Sequence, residues 1–146
     1  MKIILMWVGK TKEQFIREGI EKYLRLLKPF AEVSVSEIRE EKGKDIQRMV
    51  EKEGERLLKL RTPFVLLDEK GKGYSSAEFA GFIGRHQSPM TFVLGGAYGV
   101  SDKVKEAAAC SVALSRMTFT HEMSRLVLTE QIYRAFTIIN KRGYHH

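Results

Sequence analysis

The sequence predicts an α/β domain with a mostly parallel sheet of five or six strands and helices on both faces. Three observations predict it. The runs "KIILMWVG", "PFVLLD" and "MTFVLGG" are apolar without alternation, as expected of strands covered on both sides. Between them lie segments whose apolar residues recur at helical spacing. Strand and helix therefore take turns along the chain, which is the order of a parallel sheet with crossover helices.

The elements follow in order. "KIILMWVG" is the first strand. A helix follows from Lys12 to Lys28, with Phe15, Ile20, Tyr23, Leu24 and Leu27 on its apolar side, and Pro29 forbids much continuation. "AEVSVSEI" alternates and is rich in β-branched residues, a second strand. After the charged connection "REEKGKD", Asp45 to Leu60 reads as helix. "PFVLLD" is the third strand and "EKGKGYSS" a loop. Ser75 and Glu78 have capping-box spacing for a helix reaching about His86. "MTFVLGG" is the fourth strand, and Ser101 caps a helix to about Cys110. "SVALS" is a short fifth strand, and a last helix spans roughly Glu122 to Asn140 before the tail "KRGYHH".

The 146 residues suit a single domain, 1–146. A net charge of +7 favours anionic partners such as nucleic acid. Residues 1–62 carry 15 basic and 11 acidic side chains and residues 63–146 carry 10 and 7, so the excess is spread and no basic arm stands out. The single cysteine, Cys110, excludes an internal disulfide and suits a reducing cytoplasm. Small apolar neighbours in "KEAAACSVAL" predict a buried structural thiol. "IILMWV" is six residues long, too short for a signal-peptide core or a membrane span.

In sheets of this kind ligands bind beyond the carboxyl ends of the strands. That points to the loops after Leu67-Asp68, at Gly95-Gly96 and after Leu114-Ser115. The glycines do not make a phosphate loop: no Gly-Lys-Ser/Thr follows at the required distance. A dinucleotide fingerprint aligned on Gly96 and Gly99 has Leu94 where its first glycine belongs. A ligand without phosphates, or simple strand termination, remains for them.

Read together, "VLLDEKGK", "FVLGGAYGVSDKV", "LSRMTFTHEMSRLVLTEQIYRAF" and the ending "YHH" resemble one family over essentially the whole chain. They are similar to the small single-domain SPOUT methyltransferases that methylate N3 of a pseudouridine in large-subunit ribosomal RNA. The resemblance implies a trefoil knot formed by roughly residues 64–146, and S-adenosylmethionine as methyl donor. By motif it implies that Leu67, Gly96, Ser115, Arg116, Met117, Thr118, Phe119 and Thr120 hold the donor. Thr120 stands where many relatives have proline.

The same resemblance implies a catalytic group of Arg125, Tyr144, His145 and His121, and neither metal nor membrane anchor. Arg125 would contact substrate or stabilise charge, unless it pairs with Glu122 at helical spacing. Tyr144 and His145 would lie over the target base. His121 would orient the knot loop or act directly; His146 has no assigned role. The target implied is a base in helix 69 of 23S rRNA, in the large subunit or whole ribosome. A knotted tRNA methyltransferase and a non-catalytic ribosome-associated RNA-binding module are the alternatives. The last helix is apolar around more than one side, through Leu126, Val127, Leu128, Ile132, Tyr133, Phe136, Ile138 and Ile139, which predicts a homodimer.

Overall fold

A computed structural model describes residues 1–141 and 143. The elements are β1 (Lys2–Val8), α1 (Gln14–Leu27), β2 (Glu32–Ile38), α2 (Ile46–Leu58), β3 (Val65–Gly73), α3 (Ser76–Arg85), β4 (Met90–Leu94), α4 (Asp102–Ala107), β5 (Cys110–Ala113) and α5 (His121–Ile139). Five strands form one sheet in the order β2-β1-β4-β3-β5, every pairing parallel.

Strand position explains strand composition. β4 lies in the middle and all five of its residues are buried, as its unbroken apolar run requires. β2 is an edge strand with a half-wet surface, hence its alternation. Along β1 successive side chains take opposite faces. Ile3, Leu5 and Trp7 join the larger core, which α1, α3 and α5 cover. Met6 and Val8 join the smaller one under α2 and α4.

Helix α5 packs against both α1 and α3 as well as the sheet, which accounts for much of its apolar girth within one chain. Gly19 permits the approach of α1: a Cβ there would lie 2.7 Å from Leu126 Cδ1. The capping box at the start of α3 is complete, Ser75 Oγ accepting from the Glu78 amide and the Glu78 carboxylate from the Ser75 amide.

Three expectations need correction. "EKGKG" is not a free loop: β3 runs on to Gly73, with a shift of register against β5 so that Leu67 and Lys72 both face Val112. The chain between them bulges outward. Gly71 presses against β5, where a Cβ would come within 2.7 Å of the Ser111 carbonyl carbon and the Val112 amide nitrogen. Helix α4 stops at Ala107, and Cys110 opens β5 instead of closing that helix. Finally, Cys110 is exposed because β5 is the sheet's other edge. No helix among the described residues is long and apolar enough to cross a membrane.

Candidate functional site

The carboxyl ends of β3, β4 and β5 are neighbours in the sheet, so the three loops leaving them meet. They enclose a cavity of about 480 Å³, a size usual for small-molecule sites. Its apolar wall comes from Leu67, Leu94, Val112 and Leu114, and Asp68, Glu69 and Lys105 bring charge to it.

The glycine loop has its own internal logic. Gly99 donates its amide to the Gly96 carbonyl at 3.1 Å and has φ +78°, closing a tight turn. A Cβ on Gly95 would stand 2.8 Å from the carbonyl carbon and oxygen of Gly99. A Cβ on Gly96 would meet Val8 Cγ1 at 3.5 Å, ordinary contact. The backbone that Gly95 must let close is the turn's own.

The loops are also tied to one another. Thr118 Oγ1 donates to Glu69 Oε2 at 2.8 Å, joining the β5–α5 loop to the β3 bulge. Ser115 Oγ accepts from the Met117 amide, and Thr120 caps α5 by accepting from the Met123 amide. Tyr98 and Met117 stand at the rim, 60% and 78% exposed.

A family model described as "Predicted SPOUT methyltransferase" matches residues 1–145. The chain belongs to the SPOUT methyltransferase family. Among its relatives are proteins called "Ribosomal RNA large subunit methyltransferase H" from Geotalea uraniireducens, 46% identical over 153 residues with both chains fully covered, and from Geobacter sulfurreducens, 47% identical with both again fully covered. The protein of that name from Thermodesulfovibrio yellowstonii is 48% identical over 97% of each chain. A solved probable methylase family protein from Haemophilus influenzae Rd KW20 superposes with a TM-score of 0.55 over 99% of this chain and 70% of the other. At 12% identity it shares the fold.

In this SPOUT methyltransferase Leu67, Gly96, Ser115, Met117, Thr118, Phe119 and His121 all line the cavity. Arg116 and Thr120 do not: Arg116 is exposed, and the Thr120 hydroxyl is engaged as helix cap. Tyr144, His145 and His146 lie outside the described residues. Sequence reading missed Glu69, Tyr98 and Lys105 as individual wall residues. Asp68 and Glu69 follow the end of an apolar run, a signal that was there to use. Lys105 carries none, since only folding brings α4 to the cavity.

Arg125 requires a correction. It is completely buried, with Nη1 donating to Thr11 Oγ1 at 2.9 Å and Nη2 to the Val8 carbonyl at 2.6 Å. The guanidinium lies 5.0 Å from the centre of the Trp7 ring. It forms no part of the cavity wall, and the alternative pairing with Glu122 is not made either. Glu122 instead accepts from the Lys12 and Glu13 amides at 2.9 and 3.0 Å, clamping the start of α1 to the start of α5. The pattern "HEMSR" is consistent with either outcome, because an i, i+3 spacing says nothing about which way β1 lies.

Burial first, and then the Arg125 cation with help from Lys12, hold the His121 imidazole below its ordinary value of 6.5, against the pull of Glu122 and Glu40. His121 is therefore neutral in the folded protein at neutral pH, while the unfolded chain takes up a proton at about 6.5. Stability from this residue is fully present above that value and is lost as pH falls from it toward the lower folded pKa. Urea unfolding between about pH 7.5 and 5.5 should show this slope in the wild type and less of it in His121→Gln. Glu53, whose carboxyl burial raises, has the opposite sign, and it cancels in the difference between the two proteins. Equal slopes would refute the assignment.

Proposed function

We propose that this chain transfers a methyl group from S-adenosylmethionine to N3 of a pseudouridine in helix 69 of 23S rRNA. The observation that carries the reading is end-to-end similarity, 46% with both chains fully covered, to a protein named as a ribosomal RNA large subunit methyltransferase. The loops that the resemblance singles out are those that meet in the cavity.

The residues present fit the donor. Leu67, Leu94, Val112 and Leu114 suit an apolar nucleoside ring, and the Asp68 and Glu69 carboxylates suit a ligand carrying positive charge. There is no lysine-bearing phosphate loop, and the donor has no phosphates to need one. Bound there, S-adenosylmethionine supplies a methyl on a cationic sulfur, open to in-line attack by a nitrogen. The residues assigned to hold it are Leu67, Gly96 and the run Ser115 to Thr120, with Arg116 and Thr120 acting through the shape of that run.

What remains for the protein is alignment, exclusion of water and handling of the N3 proton. His121, neutral and on the cavity wall, offers one ring nitrogen as acceptor for a proton or for a bridging water. Tyr144 and His145 are assigned to cover the target base. Arg125 supports this group from behind, by fixing the N-terminal part of α5 to the end of β1. A trefoil knot over residues 64–146 belongs to the reading. Its support is that the chain passes from β3 to β4, then across to β5 on the other side of β3, before α5 returns against α3. A homodimer, in which the partner extends the RNA-binding surface, and action in the cytoplasm, where ribosomes are, complete it. The net charge of +7 suits a phosphate-rich target.

Mass spectrometry of large-subunit rRNA from cells lacking the protein tests the reading. One methyl should disappear from one pseudouridine and return on complementation. An unchanged methyl inventory would overturn it.

A further inference from the structure

Further along β3 than the residues that line the cofactor cavity lies a second cleft of about 450 Å³, lined by Lys72, Gly73, Tyr74, Ala77, Glu78, Gly81 and Arg85. The geometry points to this cleft as a second RNA contact: the seat of a nucleotide flanking the methylated one, its base against Tyr74 and its phosphates held by Lys72 and Arg85. The inference rests on the rRNA reading above and deepens it.

Tyr74 is a braced platform. Its ring is half-buried and backed by Phe82 and Phe79, with centroids 5.2 and 6.4 Å away. The Lys72 ammonium lies 5.1 Å from the ring centre, a cation on an aromatic face. The floor is made of small residues, Gly73, Ala77 and Gly81, so only the movable Arg85 side chain stands over it. Arg85 folds back across that floor, its Nη1 only 3.0 Å from where a Cβ on Gly81 would be. Both cations are exposed and neither forms an ion pair among the described residues. The one acid in the cleft, Glu78, is turned to its helix cap, accepting from the Ser75 amide at 2.7 Å. Lys72 caps the Tyr74 ring in the free protein; a base stacking there takes its place and turns the ammonium toward the adjoining phosphate, combining stacking with phosphate attraction as single-stranded nucleic acid sites do.

The two clefts are joined by the chain itself. Leu67 on the cofactor side and Lys72 on this side face the same residue of β5, Val112, and the bulge rises between them. A strand whose target base enters the first cavity passes over the bulge toward the second. The sequence alone gives no hint of this, because Lys72 and Arg85 belong to different elements.

The test uses the full chain with purified large ribosomal subunits and, in parallel, whole ribosomes, both from cells lacking the methyl. Binding is measured over a salt series, alongside kcat, KM and the Kd for S-adenosylmethionine. Lys72→Ala with Arg85→Ala should weaken subunit binding about tenfold or more and lower the log–log salt slope by about two. KM should rise in parallel, while kcat and the cofactor Kd stay put. Lys72→Arg with Arg85→Lys should restore affinity, and removal of the exposed pair Lys59 and Arg61 should change little. If wild type binds and the double alanine variant keeps its affinity and slope, this inference falls and the rRNA reading stands. If the wild type itself fails to bind or methylate the subunits and the whole ribosomes alike, both fall.

Discussion

Gly95→Ala should cost the protein roughly fivefold to a hundredfold in affinity for S-adenosylmethionine, whereas Gly96→Ala should be tolerated far better. The reason is steric and local. The added methyl at position 95 would meet the Gly99 carbonyl carbon and oxygen at 2.8 Å, and these are backbone atoms closing a turn. No side-chain rotation relieves such a clash, so the turn opens and the cavity wall from Gly95 to Val100 moves with it. Overpacking of this kind costs about 1–3 kcal/mol, and about 1.4 kcal/mol is one decade of binding. At Gly96 the same methyl makes ordinary contact with Val8. Calorimetric titration of both variants decides the matter. If Gly96→Ala proves the more damaging, the critical close approach is between Gly96 and the ligand, and closure of the turn at Gly95 is not what binding depends on.

Arg125→Ala should lower the stability of the fold by about 3 kcal/mol or more, read as a shift in the urea midpoint at constant slope. Removing the side chain leaves a cavity against Trp7 and strips the Thr11 hydroxyl and the Val8 carbonyl of their donor in the protein interior. Arg125→Met fills most of the volume but restores neither hydrogen bond, so it should recover only part of the loss. Both changes also withdraw a cation from His121, and the imidazole should then titrate closer to its ordinary value. A variant of native stability that has lost methyl transfer would instead reinstate the direct substrate role that the sequence motif suggests.

Gly71→Ala tests the bulge in the same spirit. Its Cβ would strike the backbone of β5 at 2.7 Å, so the bulge must lift. Both clefts should suffer, with affinity for cofactor and for ribosomal subunits falling together.

The amino-acid sequence by itself determined the alternation of strands and helices, and with it the parallel sheet and the end at which a ligand binds. Those features rest on short-range physics: an apolar run without alternation is covered on both sides wherever it lies, and Ser75 caps α3 using Glu78 three residues on. The ends of the apolar runs at Leu67-Asp68, Gly95-Gly96 and Leu114-Ser115 likewise marked all three cavity walls. Only the tertiary structure decided matters that depend on which elements become neighbours. Cys110 is exposed because β5 falls at an edge, although its local sequence is that of an interior. Arg125 points inward because the end of β1, more than a hundred residues away, offers it a carbonyl and a hydroxyl. The β3 bulge lies between Leu67 and Lys72, which both pair with Val112 of β5, and that register is a property of the pair of strands. Side-chain pattern reports on burial, which is local to an element; position at an edge, inward charge and shared clefts are set by contacts between distant segments, and no window of sequence contains them.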